Sequence, residues 1–198
     1  FCDISFGVYE VTVKLKTNLY MQSYTIVFFI FLASFFSACL ESESTKKDTQ
    51  QVSVKHFFSN KAQEDVFKLE AKGSDILKGR IFFTITTAKG TVIHTESFDG
   101  YSLLDYGLIE KKPNPTDDDR RAYIKSRMTH FFDNENFLVP AIKAEEVFEP
   151  EYSEKVYWEN IKNDVHAIGF YYLIGEEDGR SIAYSKTLNK VVMYFNCC

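Results

Sequence analysis

The histidines and their neighbouring carboxylates are the first side chains in this sequence that could bind a metal ion or transfer a proton. His130 and Asp133 are three residues apart near the end of a predicted helix, close enough for an imidazole and a carboxylate to share one ligand. His94 and Glu96 lie on the same face of one predicted strand. The other histidines are isolated, whereas a zinc site needs three or four converging ligands. We therefore expect no metal cofactor, with His130 and Asp133 as minor candidates.

Two acidic runs carry the oxygen ligands that calcium prefers. Asp117, Asp118 and Asp119 follow Thr116, which is suited to cap a helix whose first turn favours carboxylates. Residues 133–136 lack the glycine and the terminal glutamate of an EF-hand loop. Both runs are therefore predicted to mark helix termini.

The sequence contains none of the common catalytic motifs. It has no G-x-S-x-G, no H-E-x-x-H, no glycine-rich phosphate loop and no C-x-x-C. No catalytic residue is therefore predicted, and binding is favoured over catalysis. A hydrolase with an unfamiliar site remains an alternative.

Aromatic residues in the C-terminal third form the candidate binding surface. They are Tyr157, Trp158, Phe170, Tyr171 and Tyr172. Consecutive residues of a strand point to opposite faces, so Phe170 and Tyr172 must share one environment and Tyr171 another. One of these faces should be core. The other is expected either to offer an exposed aromatic surface to a protein or glycan partner, or to be covered by a helix.

Charge limits the class of partner. The chain has 23 Lys and Arg against 28 Asp and Glu, a net charge of −5, and its basic residues occur singly or in pairs. A nucleic-acid partner would require a basic stripe, so none is expected.

Cysteine usage leaves several alternatives open. Cys197 and Cys198 are adjacent, and adjacent cysteines can bond to each other only through a strained small ring. They could form that ring, bond to a second copy of the chain or remain buried thiols.

Residues 21–40, MQSYTIVFFIFLASFFSACL, suggest where in the cell the protein is located. An apolar run from Ile26 to Phe36 is followed by Ser37, Ala38 and Cys39. The run has the length of a secretory signal and is short for a membrane span. This pattern resembles the lipobox of bacterial lipoproteins, in which the cysteine is diacylated and the peptide is cut just before it. The alternative is an uncleaved transmembrane helix.

The resemblance implies a division of the chain. Residues 1–20 precede the first methionine and are interpreted as an upstream mis-start, or else as a strand. Residues 21–38 would be a signal peptide, with Cys39 lipidated and holding the protein to a membrane. Residues 39–50 are polar and read as a flexible tether. A single domain is expected over residues 51–198.

The domain is predicted to be α+β, with one antiparallel sheet made of an N-terminal hairpin and a C-terminal three-stranded meander. The hairpin spans residues 80–98, and the meander occupies residues 165–196. A main helix is expected after Thr116 to about residue 132, and a short one within residues 152–162, both packed on the sheet. The connections 99–115 and 133–150 are predicted to be irregular.

These patterns lead to one functional expectation with two alternatives. We expect an outer-membrane lipoprotein of the cell envelope, on its periplasmic or its surface-exposed face, that acts as a non-catalytic binding module for a protein or glycan. An immunity-type inhibitor of a toxin delivered to the periplasm is the first alternative. The hydrolase is the second.

Overall fold

The computed structural model describes residues 50–197, in which two four-stranded antiparallel sheets are combined with three α-helices. The predicted α+β class is confirmed. The predicted upstream segment, signal peptide and lipidated Cys39, most of the tether, and Cys198 lie outside the described residues.

The first sheet is a meander with the strand order β1-β2-β3-β4. Its strands are Gln51–Phe57 (β1), Glu64–Lys72 (β2), Arg80–Thr86 (β3) and Val92–Asp99 (β4). Alternate residues of β2 and β3 are fully buried, as the period of two in the sequence predicts. The predicted hairpin is β3–β4, and Gly90 in its turn has a φ of +84°.

The second sheet is also a meander, with the order β5-β6-β7-β8. Its strands are Phe137–Leu138 (β5), Gly169–Ile174 (β6), Asp178–Ser185 (β7) and Lys190–Cys197 (β8). The three long strands are the predicted C-terminal meander. Cys197, in the last position of β8, is disulfide-bonded.

Three helices are described: Tyr106–Lys111 (α1), Asp117–His130 (α2) and Lys155–Lys162 (α3). Thr116 caps α2 as predicted, because its side chain and that of Asp119 bond reciprocally to each other's backbone N–H. None of the helices within residues 50–197 is long and apolar enough to cross a membrane.

Two details of the predicted arrangement are wrong. The hairpin and the C-terminal meander belong to different sheets, because the hairpin pairs with β2 in the first sheet and the meander pairs with β5 in the second. The connection 99–115 is not irregular throughout, since it contains a short 3-10 turn and α1. Asp105 begins α1 by accepting a 2.9 Å hydrogen bond from the backbone N–H of Gly107.

The second sheet is covered on both faces. One face packs against the first sheet and the end of α2 through a core rich in phenylalanine. The opposite face packs against α3 and the segment around Ala141 in a smaller cluster that includes Ile161, Val192 and Tyr194. Gly169 leaves the space that the Tyr194 ring requires, because a Cβ there would collide with the Tyr194 hydroxyl.

Candidate functional site: a cleft beside Trp158

The five predicted aromatic residues do not form one surface. Phe170 and Tyr172 are 0% and 2% exposed and belong to the core between the sheets, so they cannot contact a partner. Tyr171 is half-buried on the opposite face of β6. Tyr157 and Trp158 lie on α3 and are partly exposed. The structure therefore leaves three partly exposed members of the predicted surface, of which Tyr157 and Trp158 lie together on α3 and Tyr171 lies on β6.

The minor metal candidates form an exposed pair. Nδ1 of His130 lies 3.0 Å from Oδ2 of Asp133, at the C-terminal end of α2. The described part of the chain contains no group of three or more His, Cys, Asp or Glu side chains arranged to hold a metal ion.

The first-turn aspartates of α2 are engaged in ion pairs. Arg120 bonds to Asp117 and Arg121 to Asp118, each at 2.9 Å, and Nζ of Lys112 lies 2.7 Å from Asp119. Together with the Thr116 cap, these pairs account for the aspartates in structural terms.

A cleft of about 440 Å³ opens beside Trp158, on the α3 side of the second sheet. We call it the Trp158 cleft. Its walls come from α3, from the connection between β5 and α3, and from β7 and β8. It is lined by Leu138, Ala141, Glu145, Glu146, Val147, Glu149, Ser153, Trp158, Ser181, Tyr194 and Phe195.

Lys162 fixes the acidic wall of the Trp158 cleft. Its ammonium group donates hydrogen bonds to the carbonyl oxygens of Lys143, Ala144 and Glu146, the last two at 2.9 and 3.0 Å. The same Nζ lies 5.3 Å from the ring centroid of Trp158. Helix α3 thus positions both the indole and the loop that faces it.

The hydroxyl groups of Ser153 and Tyr194 in the Trp158 cleft donate hydrogen bonds within the protein. The Tyr194 hydroxyl donates to the Ala141 carbonyl at 2.8 Å, and Ser153 donates to the Tyr194 carbonyl at 2.5 Å. Burial raises the pKa of Tyr194, although Ser181 nearby acts in the opposite direction. The phenol therefore stays protonated and neutral at physiological pH.

Charge in the Trp158 cleft is of one sign. Three glutamates line it, and no basic residue of the described segment 50–197 does. Glu146 accepts a hydrogen bond from the backbone N–H of Lys143, but within residues 50–197 no basic group pairs with Glu145 or Glu149. These two exposed carboxylates remain available to a ligand.

A second cluster of ionisable groups lies where the two sheets meet, and sequence reasoning paired only two of its members. Glu96 accepts a 2.5 Å hydrogen bond from the Tyr172 hydroxyl and also pairs with Arg180, which pairs in turn with Asp178. Nε2 of His94 lies 3.6 Å from Glu96, and this buried nitrogen has no hydrogen-bond partner among the described residues.

The electrostatics of this cluster are those of a structural network. Burial acts to raise the pKa of Glu96, but the polar contacts from His94 and Tyr172 and the charge of Arg180 outweigh it, so the pKa lies below its ordinary value. Burial and the charge of Glu96 raise the pKa of Tyr172. Glu96 is thus an anion held by buried donors, which ties β4 to β6 and β7.

Comparison with known proteins identifies no relative. No family model, no curated protein and no solved structure matches the chain.

The acidic wall of the Trp158 cleft was not predicted from the sequence. Residues 145–154, EEVFEPEYSE, contain five glutamates and no basic residue, and this run directly precedes the helix that carries Trp158. Such a run next to a tryptophan is a usable signal for a binding surface, because a stretch with no compensating base must face solvent or a cationic partner.

Proposed function

We propose that this chain is a lipid-anchored protein of the cell envelope that binds a partner, without catalysis, through the Trp158 cleft. The observation that carries the binding role is the pairing of a partly exposed indole with two carboxylates, Glu145 and Glu149, that have no basic partner within residues 50–197. Concave sites with an aromatic wall and a few polar groups are typical of ligand recognition.

The chemistry of the Trp158 cleft supports binding over hydrolysis. A nucleophile needs an adjacent base that takes its proton. The Ser153 hydroxyl instead donates to a backbone carbonyl, and no histidine within residues 50–197 lines the cleft. The network around Glu96 has ionisable groups suited to catalysis, but its members are paired with one another, with Tyr172 buried and the side chains of His94, Glu96, Arg180 and Asp178 only partly exposed.

The anchor is supported by the lipobox-like residues Ser37, Ala38 and Cys39. Its test is metabolic labelling with palmitate followed by membrane fractionation of the wild-type chain and of Cys39→Ser. We expect the label and the membrane association to be lost in the variant. An unlabelled wild-type chain would contradict the anchor and leave the binding role untouched.

The binding role is tested by affinity capture with matched variants. The wild-type chain and Glu145→Gln/Glu149→Gln serve as bait in an extract of the source cells, and captured proteins and glycans are read by mass spectrometry. We expect one stoichiometric partner that the variant fails to retain. The control, Glu64→Gln/Glu135→Gln, removes the same charge from exposed positions outside the cleft. Equal capture by both variants would place the partner elsewhere.

An immunity-type inhibitor is the second candidate, and one observation favours it. Val147 and Val156 are 74% and 52% exposed beside the acidic run, which gives this face both apolar and anionic character. Inhibitors of basic enzymes use such complementary surfaces. A strain that lacks the gene should then become sensitive to a toxin encoded next to it. Unchanged sensitivity would contradict this candidate.

A further inference from the structure

We propose that the occupant of the Trp158 cleft is an extended basic segment of a partner protein, which places a lysine or arginine side chain against Trp158 and within reach of Glu145 and Glu149. This inference rests on the proposed binding function and names its ligand chemistry. It is argued from the size, charge, aromatic wall and hydrogen-bonding capacity of the cleft.

The size of the Trp158 cleft suits side chains. A volume of about 440 Å³ is at the lower end of the range for small-ligand pockets. It can receive one or two side chains of a segment that crosses its mouth, whereas a folded surface would remain outside. An extended segment is therefore the form of protein partner that fits.

The charge of the Trp158 cleft selects a cation. Its three glutamates stand without a basic lining residue from the described part of the chain, and the ten-residue run from Glu145 to Glu154 adds further negative charge around it. The ammonium group of Lys162, on the helix that carries Trp158, is already bonded to three backbone carbonyls. Charge complementarity with a basic segment would speed association and exclude acidic competitors.

The aromatic wall provides the second contact. Tryptophan is the strongest of the aromatic side chains in cation–π attraction, and arginine is the commonest protein partner. The ring of Trp158 already makes such a contact with Lys162, and Phe148 packs edge-on against it at a centroid distance of 5.8 Å. The indole is thereby held rigid, which lowers the entropy cost of binding.

The hydrogen-bonding capacity favours a protein over a glycan. A sugar offers hydroxyl groups that need both donors and acceptors around them. In the Trp158 cleft, the hydroxyl groups of Ser153 and Tyr194 donate internally, and the carboxylates of Glu145 and Glu149, which have no basic partner within residues 50–197, are acceptors. Ammonium and guanidinium groups are pure donors, so they match these two carboxylates.

The chain contains a single tryptophan, so its emission reports directly on the Trp158 cleft. The purified full chain is titrated with a short peptide of alternating glycine and arginine, with its glycine–glutamine counterpart, and with a neutral oligomer of N-acetylglucosamine. We expect only the arginine peptide to change the emission. The affinity should fall as salt is raised to about 0.15 M, where the Debye length is about 8 Å.

Matched variants assign the effect to named residues. Glu145→Gln/Glu149→Gln should lower the affinity for the arginine peptide roughly tenfold, which is about the contribution of two exposed ion pairs. Glu64→Gln/Glu135→Gln should leave the affinity unchanged. With Trp158→Phe, binding is followed by the anisotropy of a labelled peptide and should also weaken, while the circular dichroism spectrum shows that the fold is retained.

Other outcomes separate this inference from the proposed function. An emission change with the saccharide but not with the arginine peptide would overturn the basic segment and keep a binding cleft. Equal weakening by both glutamate pairs would also overturn it, because attraction would then come from net charge alone. No response to any probe, together with no captured partner, would overturn both.

Discussion

The hydroxyl of Tyr172 in β6 donates a 2.5 Å hydrogen bond to the carboxylate of Glu96 in β4, and this bond joins the two sheets. Arg180 in β7 reaches the same carboxylate from the second sheet. Tyr172 and Glu96 are 76 positions apart in the chain. A mostly buried anion at this junction is tolerated because its donors arrive from the neighbouring sheet.

Tyr172→Phe should destabilise the protein by about 2 kcal/mol, because a hydrogen bond to a charged group is removed while the ring remains in the core. The free energy of unfolding in urea, followed by circular dichroism, measures the loss. The control is Tyr171→Phe, which changes the neighbouring, half-buried residue on the other face of β6. Equal losses of unfolding free energy in the two variants would show that the hydrogen bond to Glu96 does not stabilise the fold.

Glu96 should make the free energy of unfolding depend on pH in the acidic range. Its pKa in the folded protein lies below the ordinary value of 4.5, so its contribution is present above about pH 4.5 and is lost as the pH falls through the folded pKa. Glu96→Gln should therefore be less stable than the wild type at neutral pH and should lose less on acidification. Urea unfolding at several pH values tests this, with Glu64→Gln as the control. Parallel curves for Glu96→Gln and wild type would contradict it.

Asp75 should titrate far below an ordinary aspartate. Hydrogen bonds from Arg121, at 2.9 and 2.8 Å, and from the backbone N–H of Leu77 lower its pKa from 3.8 to about 2. This pairing ties the β2–β3 connection to α2. The carboxyl carbon shift in an NMR titration should show a midpoint near 2, which Arg121→Gln should move back towards 3.8. An unchanged midpoint in the variant would refute the assignment to Arg121.

Lys162 should protect the loop that it bonds. Lys162→Met keeps the apolar stem but removes the three hydrogen bonds to carbonyls, so the loop should open more often. Trypsin should then cut after Lys143, which is exposed, several times faster than in the wild type. Lys155→Met is the control, because among the described residues Lys155 pairs only with Glu159, at 3.8 Å on the same helix. Similar cleavage rates in both variants would contradict a clamping role.

The strands of the domain were predictable because their residues alternate with a period of two. In β3, the buried positions Ile81, Phe83 and Ile85 alternate with half-buried ones, and the pattern locates both the strand and its core face. The division into two sheets was not predictable, since alternation locates a strand but does not say with which strand it pairs. A strand of two residues, Phe137–Leu138, has no periodicity to read.

The candidate site was predictable only in part. Alternation correctly separated Tyr171 from Phe170 and Tyr172, but it cannot tell which face becomes core. That choice follows from the aromatic residues of β2, β3 and the C-cap of α2 that pack on Phe170, which are distant in sequence. Trp158 was identified from its residue type. Its acidic neighbours were not predicted, because neither the residue type of Trp158 nor strand alternation indicates which charged residues of the preceding loop line the cleft.

The order of the strands has a consequence for how the chain folds. Within residues 50–197, every strand pairs only with its neighbours in sequence, so β1–β4 and β6–β8 can form through local contacts with short loops to close, whereas β5 is separated from β6 by the long connection that contains α3. Docking of the two sheets instead needs long-range contacts, because Glu96 must reach Tyr172, which is 76 positions further along the chain. We therefore expect the two meanders to form early and their docking, completed by the Glu96 network, to limit the rate of folding.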